Sequence, residues 1–208
     1  MSNPFFQAFL DVIDLFENIE NKFGFKYILV GGLLTPIYAE SRQTQDIDVV
    51  IQIQITEENK EILKRVFNDN NFHPLISWED TFIDWKTLKF IQFLDKSEII
   101  KIDLNFMDPS SKHLTIHDTM KKISFENRKR LKIQNIPCWA TSREDFILSK
   151  LVYGGYQDYK DALACWVRYY EELDMKYLEE NARNLNVENQ FQNIVQKITA
   201  SDVFSDDA

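Results

Sequence analysis

Residues 31–50 read GGLLTPIYAESRQTQDIDVV, and this stretch decides the fold. Before it, Phe25-Lys26-Tyr27-Ile28-Leu29-Val30 is rich in β-formers and stops at Gly31-Gly32, where a tight turn is expected. LLTPIYAE has the length of a short helix, and Asp46-Ile47-Asp48 opens the apolar run DIDVVIQIQI, which reads as a strand. Asp46 and Asp48 stand two apart on that strand, so both carboxylates leave the same face, about 6.7 Å apart along the backbone. Bare, they repel by roughly 2.5 kcal/mol at an effective dielectric near 20. Ile47, Val49, Val50 and Ile51 mark the strand as core, so the two acids need a reason to sit there. A shared divalent cation is one reason, and a solvated edge strand is the other.

A third acid has the same character. Residues 89–94 and 99–106 read as two strands joined at Asp95-Lys96-Ser97; in the second, Ile100, Ile102, Leu104 and Phe106 face one way while Lys101, Asp103 and Asn105 face the other. A neighbouring antiparallel strand would bring Asp103 beside Asp46 and Asp48. Three carboxylates would then surround a site for one or two Mg²⁺ or Mn²⁺ ions, since oxygen donors suit these metals and not zinc. Gly31-Gly32, without a Cβ and at the start of a helix, lets backbone N–H groups approach phosphate oxygens. Arg42 and Thr44, in the loop before the strand, are candidates for a phosphate or metal-water contact, or are ordinary loop residues.

Outward from this centre, Phe5, Phe6, Phe9, Ile13 and Phe16 recur at helical spacing, and Gly24 supplies a stop. Ile62, Leu63, Val66 and Phe67 mark a helix over 57–70, opened by Thr56 with Glu57 and Glu58 in its first turn. Ile123-Ser124-Phe125 and Leu131-Lys132-Ile133 read as a further strand pair. Beyond Pro137 the pattern is helical: 142–153 behind a Ser142/Asp145 cap, then 156–173 and 187–199. The fold class is α/β (α+β), with a core over residues 1–140 that includes the N-terminal helix and a C-terminal helical region over 141–208.

Composition narrows the partners. A net charge of −9 repels a long polyanion on average, whereas a small metal-bound nucleotide is less affected. One local exception is KKISFENRKRLK (121–132), where Lys121, Lys122, Arg128, Lys129, Arg130 and Lys132 face one acid, Glu126; it is a landing strip for RNA such as tRNA, or a solvated hairpin. The N-terminus has no basic n-region, and no apolar run reaches the roughly 18 residues of a membrane span, so no membrane is expected. Cys138 and Cys165 lie outside any CxxC arrangement, which suits a reducing cytoplasm. His113 and His117 have ligand-like i, i+4 spacing but no third ligand, and read as surface residues.

The pattern hG[GS], short helix, Dh[DE]h, with a third carboxylate on a later strand, resembles the signature of the nucleotidyltransferase superfamily. The resemblance implies a polymerase-β-like fold built on a mixed sheet. It also implies transfer of a nucleoside monophosphate from an NTP substrate to an acceptor hydroxyl on RNA, protein or a small molecule. Asp46, Asp48 and Asp103 would be its metal-holding and catalytic residues, with Asp103 helping to deprotonate the acceptor. RxTxDIDVVI (42–51) and TSREDFILSKLVYGGYQDYKDALACW (141–166) further resemble AbiEii-like abortive-infection toxins and related short nucleotidyltransferases of bacterial toxin–antitoxin loci. In those an (S/P)EDlillKl…KDxxD segment follows the core, and the matching positions here are Glu144, Asp145, Lys150, Asp158 and Asp161; Gln157 replaces the leading lysine of KDxxD. By resemblance, Lys150, Asp158 and Asp161 join the nucleotide site, and a cognate antitoxin or toxin is a partner. Read without it, Lys150 beside Leu148 and Leu151 snorkels to solvent, and Asp158 and Asp161 orient it or lie on an exposed face. Trp166, Tyr169 and Tyr170 read as helix packing. Two other classes stay open: a non-catalytic interaction protein, and a glycosyltransferase using DxD, which needs no upstream glycine turn.

Overall fold

The N-terminal α1 (Pro4–Phe23) buries Phe9, Ile13 and Phe16 on one side, and Gly24 ends it in the left-handed region at φ +73, its N–H donating to the Glu20 carbonyl. A computed structural model describes residues 4–40 and 44–202. Within them lie the strands β1 (Tyr27–Leu29), β2 (Asp46–Gln52), β3 (His73–Pro74), β4 (Phe90–Leu94), β5 (Lys101–Met107), β6 (Lys129–Ile133) and β7 (Ile136–Ala140). The remaining helices are α2 (Thr35–Tyr38), α3 (Glu57–Asp69), α4 (Trp78–Leu88), α5 (Ile116–Glu126), α6 (Arg143–Tyr153), α7 (Tyr156–Tyr169), α8 (Met175–Asn184) and α9 (Glu188–Asp202). Caps start several of them: Thr56 accepts the Asn59 N–H at 3.2 Å, and Ser142 accepts the Asp145 N–H at 3.0 Å.

Two compact units are distinct. One comprises the described residues of Met1–Leu33, Gln43–His113 and Arg128–Thr141 and carries the whole sheet with α1, α3 and α4. Its strand order is β3-β4-β5-β2-β1-β7-β6, a mixed sheet in which β2/β5 and β1/β7 are parallel and the other pairs antiparallel. Ile47, Val49, Ile51, Ile102, Leu104 and Phe106 are buried, and Trp85 of α4 stacks on Phe106 with ring centroids 4.6 Å apart. The other unit, from Leu34–Arg42, Leu114–Asn127 and Ser142–Ala208, carries α2 and α5–α9; in it Trp166 is buried edge-on against Phe191 at 5.7 Å, as helix packing requires.

Two expectations are corrected. Strand β5 runs parallel to β2, not antiparallel, because the chain reverses into β4 and again at the β4–β5 turn. That turn is built by Asp95, whose carboxylate accepts from the backbone N–H of Ser97, Ile99 and Ile100. Residues Ile123, Ser124 and Phe125 are helical, not a strand, because a capping box nucleates α5: Thr115 Oγ1 accepts the Asp118 N–H at 3.1 Å and Asp118 Oδ2 accepts the Thr115 N–H at 3.2 Å. The partner of β6 is instead β7, across a turn with Gln134 at φ 48 and Asn135 at φ 69.

Candidate active site

Alternation along β2 sends Ile47, Val49 and Ile51 into the core and leaves Asp46 and Asp48 half-buried on the opposite face. The parallel register sets Asp46 beside Lys101 and Asp48 beside Asp103, and on the far side of β5 it is Gln92 of β4 that pairs with Asp103. Side chains follow the register. Lys101 Nζ donates to Asp103 Oδ2 at 3.0 Å and lies 3.3 Å from Asp46 Oδ2, while Gln92 Nε2 donates to Asp103 Oδ1 at 2.9 Å. The Thr44 hydroxyl lies 3.1 Å from both Asp46 Oδ1 and the Asp46 carbonyl oxygen, which fixes the start of the strand.

The glycine pair makes room for these groups. Gly31 sits in the left-handed region at φ +67, and a Cβ there would lie 2.2 Å from Asp48 Oδ2. The Gly32 N–H donates to the same oxygen at 3.3 Å, and a Cβ on Gly32 would lie 2.8 Å from Thr44 Oγ1. Burial, reinforced by the charges of Asp46 and Asp103, pushes the Asp48 carboxyl up to about 6 against the opposing pull of the Gly32 hydrogen bond and Lys101. For Lys101, burial opposes the charge but the hydrogen bonds and charges of Asp103 and Asp46 outweigh it, so its pKa is raised.

The structure therefore brings Gly31, Gly32, Thr44, Asp46, Asp48 and Asp103 together, and adds Lys101 and Gln92, which sequence reasoning passed over. The face of Lys101 was legible, since it shares the outward side of β5 with Asp103 two residues away, whereas its clasp on Asp46 and the approach of Gln92 depend on register between strands. Among the described residues no group of three His, Cys, Asp or Glu converges closely enough to hold a metal ion. The donor set is nevertheless all oxygen, and Asp46 and Asp103 already share one cation, the Lys101 ammonium. That chemistry fits Mg²⁺ or Mn²⁺.

Arg42 lies outside the described residues. In the helical unit, Lys150 is buried and paired with Asp158 at 2.8 Å and Asp161 at 3.0 Å, so the two acids of 156–161 orient the lysine. Asp145 is buried and accepts from the Tyr177 hydroxyl at 2.7 Å. The exposed His117 stacks on Tyr153 at 5.1 Å. The basic run is divided between α5, with Lys121 and Lys122, and β6, with Lys129, Arg130 and Lys132. Two of its charges are neutralised by α1, through a bidentate Arg128–Glu20 pair and an Arg130–Glu17 pair. No described helix is long and apolar enough to cross a membrane.

Fold and site together define a nucleotidyltransferase-type α/β core with a helical companion. The family of nucleotidyltransferases of unknown function termed DUF6036 matches residues 7–203, and the chain belongs to it. No curated protein matches the chain. Among solved structures, an antigenic nucleotidyltransferase-like protein from Paracoccidioides brasiliensis is similar in fold, with a TM-score of 0.57 at 15% identity over 89% of this chain and 86% of that one. So is ANT(2'')-Ia, seen in complex with adenylyl-2''-tobramycin, with a TM-score of 0.52 at 11% identity over 86% of this chain and 97% of that one.

Proposed function

We propose that the chain transfers a nucleoside monophosphate from an Mg²⁺- or Mn²⁺-bound NTP to an acceptor hydroxyl, with release of pyrophosphate. The observation that carries this reading is the placement of Asp46, Asp48 and Asp103 side by side on one polar sheet face, with the Gly31-Gly32 turn packed against Asp48, in a chain of a nucleotidyltransferase family. Asp46, Asp48 and Asp103 would hold the divalent ion or ions. Asp103, oriented by Gln92, accepts the proton of the incoming hydroxyl. Gly31, Gly32 and Thr44 line the triphosphate, and the assignment of Arg42 to it rests on the sequence alone. A bound divalent ion would neutralise the phosphate oxygens and acidify the hydroxyl. Lys150 is paired with Asp158 and Asp161, and its place in the nucleotide site rests on the family resemblance alone.

The acceptor is a hydroxyl of RNA, protein or a small molecule; the adenylyl-2''-tobramycin in complex with ANT(2'')-Ia puts small molecules in the first panel to be assayed. The direct test is transfer of label from an α-labelled NTP, alongside binding of each metal–NTP. Wild type is expected to transfer, and Asp46→Asn and Asp48→Asn to lose both activities. Equal metal–NTP binding by all three proteins would overturn the assignment of the site. A role in a toxin–antitoxin pair rests on the AbiEii-like resemblance and predicts growth arrest on expression that Asp48→Asn relieves.

A further inference from the structure

The polar face of the sheet already contains a cation. Lys101 Nζ lies 3.0 Å from Asp103 Oδ2 and 3.3 Å from Asp46 Oδ2, so one ammonium clasps two of the three carboxylates. The arrangement follows from the backbone: parallel pairing puts Lys101 level with Asp46, and strand alternation puts it on the same face as Asp103. The remaining oxygens are also engaged, Asp46 Oδ1 by Thr44 and Asp103 Oδ1 by Gln92. A metal bridging Asp46 Oδ2 and Asp103 Oδ2 at the roughly 2.1 Å typical of Mg²⁺ would occupy the place where the ammonium now lies. The lysine side chain is 36% exposed, and its four-carbon stem lets the head leave without disturbing the strand.

We propose that Lys101 is an internal counter-cation of the site, which holds Asp46 and Asp103 in the absence of nucleotide and yields them to a divalent ion only when displaced. The inference rests on the metal-site reading above and adds regulation to it. Free metal competes against a tethered charge and binds weakly. A metal arriving on a triphosphate brings anionic oxygens that receive the released ammonium, so metal loading is tied to nucleotide.

The test is Mn²⁺ titration by calorimetry, without nucleotide, of wild type, Lys101→Met, Lys101→Gln, Asp46→Asn and Lys26→Met. Lys26→Met is the control, since it removes a positive charge of the same unit at an exposed position away from these carboxylates. Both Lys101 variants are expected to bind free Mn²⁺ about tenfold or more tighter than wild type, with Lys26→Met unchanged and the gap closing when a non-hydrolysable NTP is added. Two independent substitutions, each checked for native circular dichroism, guard against one that fails to fold. Equal affinity of the Lys101 variants and wild type, with binding lost in Asp46→Asn, overturns the role of Lys101 alone. An equal gain in Lys26→Met overturns it too, because the effect would then be general charge. Absence of metal binding in every protein, with and without nucleotide, overturns this inference and the functional reading together.

Discussion

Replacing Asp48 by Asn should make the metal-free protein more stable while abolishing the proposed nucleotidyl transfer. Asp48 is held at about 6, against 3.8 for an unperturbed aspartate, chiefly because it is buried and secondarily because Asp46 and Asp103 share its face. The folded state thus binds the Asp48 proton more tightly than the unfolded chain does. Stability from this residue is greatest below about pH 4, falls as pH rises towards 6, and is level above. At roughly 1.4 kcal/mol per pH unit, the difference amounts to about 3 kcal/mol at pH 7.5. Asn keeps the shape and an acceptor for the Gly32 N–H without the charge. For a chain of this length, about 3 kcal/mol corresponds to a Tm rise of roughly 6–12 °C. Thermal melts of both proteins in chelator, at pH 7.5, 6 and 4, are the assay. The gap should be widest at pH 7.5 and shrink to under about 1 kcal/mol at pH 4. A variant no more stable than wild type at pH 7.5, or a gap independent of pH, refutes the argument that the site is charged at the expense of the fold.

Gly31→Ala should destabilise by about 1–3 kcal/mol, since the new Cβ meets Asp48 Oδ2 and the backbone is left-handed; in an Asp48→Ala background it should do less harm, and additive effects in that double-mutant cycle would count against a direct clash. Lys150→Met leaves Asp161, 3% exposed, without its ammonium and should lower stability by about 3–5 kcal/mol. Adding Asp161→Asn should restore part of the loss in urea denaturation, and no recovery would mean that the pair is not the source. Thr115→Ala removes the capping box of α5 at a cost of about 1 kcal/mol; unchanged amide exchange over residues 116–120 would contradict it.

The elements that follow from local chemistry were legible in the sequence: α1, β2, α3 and α6 each carry a periodicity, a cap or a stop that needs no tertiary partner. Asp103 was legible because an acid amid apolar alternation stands out on a strand. The clasp of Lys101 was not, because it depends on the parallel register that sets residue 101 level with residue 46, and register is a property of two strands. Residues 123–125 were misread because three apolar-rich positions suit a strand or a buried helix face equally; the Thr115–Asp118 box, eight residues upstream of Ile123, decides between them. Helix α4 has a Ser77 cap, with Trp78, Phe82 and Trp85 at helical spacing, a signal that was available and passed over.

The contact between Gly31 and Asp48 has a consequence for tracing the history of such chains. A carboxylate occupies the volume that any side chain at position 31 would need. A lineage that gives up the acid lifts that steric ban and leaves only the cost of the left-handed backbone, and a lineage that keeps it faces both. Among relatives, a residue larger than glycine at 31 is therefore expected to go with loss of the acid at 48.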